Sequence, residues 1–192
     1  MVNMTEKTPS IRTRIAICVC IALANILLAR YAALSTSAIP GVVTFYFAVA
    51  FMIAFALWFG TWGAIAAYVG CLVGSGIPAG LPLPVNLYWS LADVWQVLIP
   101  LAAFRILKAD TGLKTKRDFA VFFAFAWLLN NLAGAAWGTT MFVVNGKFSA
   151  EFSNVFLNWF IGNLAVTFLI TPVLLKLGTP ILKRKRILTE CF

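Results

Sequence analysis

The chain has 192 residues, of which 62% are hydrophobic and 11% charged, with a mean hydropathy of +0.94 and a formal net charge of +9 at pH 7. This composition excludes a soluble globular domain and predicts an integral membrane protein. The chain has no histidine, which is the commonest general base and metal ligand, so we expect neither an enzyme nor a metal or cofactor.

Six apolar stretches are long enough to cross a hydrocarbon core of about 30 Å, which requires roughly 17 to 25 helical residues. In chain order they are residues 14–35, 40–59, 61–78, 85–107, 118–144 and 152–177. The sequence therefore predicts an all-α integral membrane fold of six transmembrane helices. We expect a single domain over residues 1–192, with short basic tails at residues 1–13 and 178–192.

Lysine and arginine residues at or beyond the ends of these stretches predict the orientation. They lie at the start of the first span and before it, between the fourth and fifth, and at the end of the sixth and after it: Lys7, Arg12, Arg14, Lys108, Lys114, Lys116, Arg117, Lys176 and Lys183 to Arg186. An even number of spans places all three clusters on one side, and the positive-inside bias makes that side cytoplasmic. Both termini are predicted to be cytoplasmic, in a multi-pass protein of the plasma membrane.

The net charge needs no nucleic acid partner, because topology and contact with anionic lipid headgroups explain it. An alternative role for the basic tail that begins at Lys183 is docking of a cytoplasmic partner. The sequence leaves these two interpretations open.

A proline-rich segment joins the third and fourth spans. Residues 75–89 read SGIPAGLPLPVNLYW, and Pro78, Pro82 and Pro84 oppose a regular helix. Because the segment is also apolar, residues 78–88 are predicted either to cover the helix ends as a lid or to form a plain tight connection.

Polar residues recur at helical spacing in the last three spans and predict a binding chamber. The set combines amides, indoles and one carboxylate: Asn86, Trp89, Asp93 and Gln96 in the fourth span, Asn130, Asn131 and Trp137 in the fifth, and Asn158, Trp159 and Asn163 in the sixth. Asp93 carries the most weight, because an ionisable residue within a membrane span is by default a functional-site hypothesis. A small solute is the predicted partner.

Each of these residues also has a structural interpretation. Asparagine often holds membrane helices together, and tryptophan often anchors a helix at the membrane interface, as predicted for Trp58 and Trp62. An ion pair with Arg30 is the alternative for Asp93.

The layout resembles the substrate-binding S components of energy-coupling factor vitamin transporters. The likeness rests on six short spans, the glycine-rich segment WFGTWGAIAAYVGCLVGSG at residues 58–76 and the proline-rich loop. The last span, NWFIGNLAVTFLITPVLL at residues 158–175, is similar to the closing W-x-x-G-D…P pattern of bacterial membrane-associated sensor domains, with Asn163 at the position of the aspartate.

The first resemblance implies uptake of a vitamin-like solute, in concert with a coupling membrane subunit and ATPases. The chain has no Walker motif, so ATP would be used by other subunits. In S components an Ala-x-x-x-Ala pair of the first helix contacts the coupling subunit, and Ala29 with Ala33 matches that pair. Sensor domains are followed by a kinase or cyclase, and none follows here, which favours transport.

The expected function is thus a membrane subunit that captures a small polar or heterocyclic solute, neutral or singly cationic. One alternative is a membrane sensor or scaffold that transduces ligand binding to a partner. Another is a small proton-coupled carrier or channel.

Overall fold

The computed structural model describes residues 10–34, 44–144, 152–185 and 187–188. Its helices are α1 (Ile11–Tyr31), α2 (Ala48–Phe59), α3 (Thr61–Cys71), α4 (Leu83–Trp89), α5 (Leu91–Ile106), α6 (Lys116–Val121), α7 (Asn130–Val144) and α8 (Phe152–Arg184). A π-helical segment, Leu72–Gly76, continues α3, and a second, Phe122–Leu129, joins α6 to α7. Strands β1 (Ala33–Leu34) and β2 (Phe45–Tyr46) pair antiparallel, with Ala33 opposite Tyr46. This short pair is the departure from an all-helical fold.

Within the described residues, four helical units are long and apolar enough to cross a membrane, namely Ile11–Tyr31, Leu83–Ile106, Lys116–Val144 and Phe152–Arg184. Two further apolar helices, Ala48–Phe59 and Thr61–Gly76, are shorter. These units follow the order of the predicted stretches, and the chain is a multi-pass membrane protein. Six complete crossings and cytoplasmic termini stay predictions.

The helix of the fourth predicted span begins inside the proline-rich segment, two residues before its predicted start. Pro82 precedes α4, and Pro84 lies in its first turn, where a missing backbone N–H breaks no intrahelical hydrogen bond. The helical unit Leu83–Ile106, which corresponds to the fourth predicted span, therefore begins before the predicted start at residue 85 and passes through Ser90 into α5.

One end of the helix bundle collects the basic residues, and we call it the basic end. The thiol of Cys18 near the start of α1 donates to the carbonyl of Trp62 at 3.8 Å. The indole N–H of Trp58 donates to Thr179 Oγ1 at 2.9 Å, and that hydroxyl donates to the carbonyl of Thr111 at 3.3 Å. The start of α1, the 107–115 loop and the last turns of α8 therefore share this end; Lys7 and Arg186 lie outside the described residues.

The centre of the bundle is α2, and its edge is α1. Nine of the twelve residues of α2 are buried, as expected for a helix that is apolar all round. Trp58 is among them at 7% exposure, so its predicted role as an interface anchor is wrong: it packs inward against α8. By contrast, α1 exposes an apolar ridge at every fourth position, formed by Ile11, Ile15, Val19, Leu23 and Leu27.

Candidate ligand-binding cavity

A cavity of about 300 Å³ lies at the end of the bundle opposite the basic end. Helices α1, α3, α4, α5, α7 and α8, strands β1 and β2 and the π-helical segment after α3 contribute to it. Its lining comprises two charged residues, four aromatic residues, a serine, a thiol and smaller side chains: Arg30, Asp93, Trp89, Phe142, Trp159, Tyr46, Ser75, Cys71, Ala29, Ala33, Gly74, Pro78, Ala79 and Val155.

Asp93 lies in the wall of the cavity and is only 2% exposed. The hydroxyl of Tyr46 donates to Asp93 Oδ2 at 3.1 Å. Strand β2 places this tyrosine, since Tyr46 pairs with Ala33 at the end of the first helix. A buried carboxylate is thus held by a neutral donor.

Arg30 lines the same cavity, but its guanidinium forms no ion pair with Asp93 among the residues that the structure describes. It lies instead over the ring of Tyr31, 5.7 Å from the centroid. The ion pair that the sequence offered as an explanation for Asp93 is therefore not formed. Opposite charges face one cavity without neutralising each other directly.

Three aromatic rings form one wall. The Trp89 centroid lies 5.3 Å from that of Phe142 and 5.9 Å from that of Trp159. Gly138 permits this arrangement, because a Cβ at that position would overlap the Trp159 ring. The indole N–H of Trp89 is buried and has no acceptor within the described part of the chain. The wall thus offers flat apolar surfaces and one unpaired donor, which a ligand acceptor would satisfy.

The π-helical segment forms the side of the cavity next to α1. Gly74 allows the two helices to touch, since its Cβ would lie 2.5 Å from the carbonyl oxygen of Ile26. Ser75 Oγ donates to the carbonyl of Ala29 at 3.4 Å. Ala29 is consequently only 5% exposed, so this small residue serves packing inside the bundle.

Asn86 supports that segment from outside the cavity. Its amide donates to the carbonyl of Leu72 at 3.0 Å and accepts from the hydroxyl of Ser90 at 3.1 Å. Within the predicted lid, Pro78 and Ala79 line the cavity. Whether residues 78–88 move on binding stays a prediction.

Four of the predicted site residues form a buried polar core between α5, α7 and α8, in which three are hydrogen-bonded, whereas neither amide atom of Asn163 has a partner within the described residues. Gln96, Asn130, Asn131 and Asn163 are each at most 1% exposed and lie outside the cavity lining. Gln96 Nε2 donates to Asn131 Oδ1 at 3.0 Å, Asn131 Nδ2 donates to Thr167 Oγ1 at 3.2 Å, and Asn130 Nδ2 donates to the carbonyl of Gln96 at 3.3 Å. These contacts match the role of asparagine in holding membrane helices together.

Two other predicted residues lie at the periphery. The indole of Trp137 donates to the carbonyl of Tyr88 at 2.7 Å, and Asn158 Nδ2 donates to the carbonyl of Asn154, one turn earlier in its own helix, at 2.8 Å. Of the ten predicted residues, the structure therefore brings Trp89, Asp93 and Trp159 together at the cavity.

The sequence reasoning missed Tyr46 and Phe142 as cavity residues. Phe142 lies one helical turn after Gly138, on the same side of the helix. The helical spacing that was used to choose site residues within the fifth span could therefore have identified Phe142 as well. Tyr46 had no such signal, because the sequence around it from Phe45 to Phe51 is otherwise apolar.

One buried stripe on α8 leads away from the cavity. Asn163, Thr167, Thr171 and Thr179 recur at multiples of four residues, and each is at most 1% exposed. Consecutive members four residues apart are rotated by about 40° around a helix of 3.6 residues per turn, so the stripe winds slowly around α8. The stripe starts one turn after Trp159 in the cavity wall and ends at Thr179, which binds both Trp58 and the 107–115 loop.

Asp110 organises the loop at the basic end. It accepts from the backbone N–H of Gly112 at 2.6 Å and pairs with Lys114 at 3.2 Å and Lys183 at 3.1 Å. Burial alone would raise the pKa of Asp110, but the Gly112 N–H and the two ammonium groups outweigh it, so the pKa is lowered. The carboxylate thereby ties the loop to the last turns of α8.

Comparison with known proteins assigns a family. The sequence model of MASE1, a family of membrane-associated sensor domains, matches residues 17–189. No curated protein and no solved structure matches the chain.

Proposed function

Because the chain belongs to the MASE1 family, we propose that it is a membrane sensor module that binds a small solute in the cavity and passes this event to a cytoplasmic partner. The observation that carries the proposal is the cavity itself. It combines an aromatic wall with a buried carboxylate and an unpaired indole N–H, as in sites that hold a small molecule in a defined orientation.

The solute contacts are assigned to the cavity residues. Trp89, Phe142 and Trp159 hold an apolar ring or chain, and Asp93 binds a polar group. Gln96, Asn131 and their amide neighbours are assigned to the packing of α5 against α7 and α8. The proposed function is binding without a chemical reaction of the solute. We further propose that the protein is a single domain located in the plasma membrane.

The transport interpretation meets an obstacle at Ala29. By resemblance to S components, Ala29 and Ala33 would contact a coupling subunit outside the first helix. Ala29 is instead buried against Gly74 inside the bundle, which removes half of that contact surface. The family match likewise favours a sensor over a vitamin transporter.

Signal passage is assigned to α8. This helix carries Trp159 at the cavity and Lys183 at the basic end within one element, which contains Pro172 and Pro180 between them. A solute that displaces Trp159 would therefore act on Thr179 and on the loop that Asp110 organises. The partner would read that loop or the end of α8.

Blocking the cavity tests the binding step. Ala79 lines the cavity at an exposed position, so Ala79→Trp fills the cavity without disturbing the core. Ile77 is 60% exposed and outside the lining, so Ile77→Trp is the matched control. Native mass spectrometry of gently solubilised protein should find a small molecule on the unaltered chain and on Ile77→Trp, but not on Ala79→Trp. Equal occupancy of all three would refute the cavity as the binding site.

The signalling step needs its own measurement. In a background that keeps the buried cavity residue Cys71 and lacks the other native cysteines, Lys185→Cys should change its rate of reaction with a thiol reagent when the co-purified solute is added. The same solute should have no effect in the Ala79→Trp variant. An unchanged rate despite bound solute would favour the uptake alternative, which requires no message at the end of α8.

A further inference from the structure

The charges of the cavity restrict the chemistry of its ligand. Of the described residues that line it, Arg30 and Asp93 are the charged ones. Asp93 is buried in the wall, whereas Arg30 is exposed at the end of α1. The two groups form no ion pair with each other. The cavity therefore has a negative group inside and a positive group at its edge.

Neither charge has an opposite charge within the described structure. The hydrogen bond from Tyr46 gives Asp93 a neutral donor, and the ring of Tyr31 gives Arg30 an aromatic face. A charge out of contact with water is costly unless it is paired, and this applies to the buried Asp93. Arg30 is exposed to water at the edge of the cavity, where its charge is available to an anionic group of the ligand. A purely cationic ligand would pair Asp93 alone, and a purely anionic ligand would pair Arg30 alone. A ligand with both charges pairs both.

We propose that the cavity binds a small zwitterion of the α-amino acid type with an aromatic or large apolar side chain. Its ammonium group pairs with Asp93, its carboxylate pairs with Arg30, and its side chain packs against the wall formed by Trp89, Phe142 and Trp159. The unpaired N–H of Trp89 is available to a carboxylate oxygen. This inference rests on the proposed solute-binding function and names the ligand class of the same site.

Three probes with the same aromatic body separate the possibilities: L-phenylalanine, phenethylamine with the cation alone, and 3-phenylpropanoate with the anion alone. Calorimetric titration of the detergent-solubilised protein should give an affinity for L-phenylalanine at least about ten-fold higher than for either other probe, since each lost charge pair is a lost charge-assisted contact. Equal affinity for phenethylamine would overturn the proposal in favour of a simple cation, and equal affinity for 3-phenylpropanoate in favour of an anion.

Substitution of each charge gives a crossed pattern. Asp93→Asn should lower the affinity for L-phenylalanine about ten-fold or more and leave that for 3-phenylpropanoate unchanged. Arg30→Gln, at an exposed position that folding tolerates, should lower the affinity for L-phenylalanine and leave that for phenethylamine unchanged. Uniform loss for all probes, or no loss for any, contradicts the assigned pairing.

The Ala79→Trp variant separates failure of this inference from failure of the proposed function. If phenethylamine binds as tightly as L-phenylalanine and Ala79→Trp abolishes both, the cavity binds solutes but the zwitterion assignment is wrong. If binding of every probe is the same in Ala79→Trp and Ile77→Trp, the cavity is not the site and both fail. Absence of binding by all three probes to the unaltered protein overturns the ligand class.

Discussion

Replacing Thr179 with valine should destabilise the protein, because this hydroxyl joins three parts of the basic end. Thr179 is 1% exposed, accepts from the Trp58 indole at 2.9 Å and donates to the carbonyl of Thr111 at 3.3 Å. Valine has the same shape but neither hydrogen bond. Each bond contributes about 0.5 to 1.5 kcal/mol, and a buried donor left unpaired costs about 1 to 3 kcal/mol.

The unpaired Trp58 donor and the lost bond to Thr111 together give an expected loss in the free energy of unfolding of about 1.5 to 4.5 kcal/mol. Thr179→Ser is the matched control, since it keeps the hydroxyl and removes one methyl group, at a cost of about 1 kcal/mol. Unfolding in micelles titrated with a denaturing detergent and followed by circular dichroism measures both variants. Trp58→Phe removes the donor, so Thr179→Val should cost less in that background.

Two results would refute this reasoning. One is an equal loss for Thr179→Val and Thr179→Ser, which would mean that the hydroxyl contributes nothing. The other is an equal cost of Thr179→Val with and without the Trp58 indole, which would mean that the two side chains are not coupled.

Three further predictions concern other parts of the molecule. Gly138→Leu should displace the indole of Trp159, which faces Gly138, and abolish solute binding. Thr140→Leu, on the exposed side of the same helix, should leave solute binding unchanged. Equal affinities of the two variants for the solute, measured by calorimetry, would contradict this. Because the pKa of Asp110 is lowered, its contribution to stability should be present at neutral pH and lost as the pH falls through the folded-state pKa. Asp110→Asn should therefore reduce the fall in melting temperature between neutral pH and about pH 3. Parallel curves of melting temperature against pH for the two proteins would exclude this role. In intact cells, an impermeant thiol reagent should label a cysteine at Ser149, which lies outside the described residues, but not one at Thr115; the reverse pattern would invert the topology.

The sequence predicted the membrane class and the order of the helices because length and hydropathy determine both. It also selected Asp93, since a carboxylate in an apolar span is conspicuous without any tertiary information. It did not predict that Tyr46 donates to Asp93, because a helical pattern shows which residues share a face and not which element packs opposite. Trp58 was misplaced for the same reason: only its contact with Thr179 reveals that it points inward.

The resemblance to S components shows a related limit. Six short spans and a glycine-rich third span reflect close packing of membrane helices, which unrelated families share. The pattern at the start of the last span, with Trp159, Gly162 and Asn163, is more specific, and it agreed with the family match. The structure gives two of these residues distinct places, since Trp159 lines the cavity and Asn163 lies in the polar core.

The length of α8 gives the protein a lever arm. Its 33 residues span about 50 Å at 1.5 Å per residue, whereas the hydrocarbon core is about 30 Å thick. From Trp159 to Lys183 the arm measures about 36 Å, so a tilt of about 5° displaces its far end by about 3 Å. That displacement is as long as the contact between Lys183 and Asp110, which is 3.1 Å. If the arm moves as one body despite Pro172 and Pro180, a tilt of a few degrees at the cavity thus produces a displacement as long as an ion pair at the opposite end of the bundle.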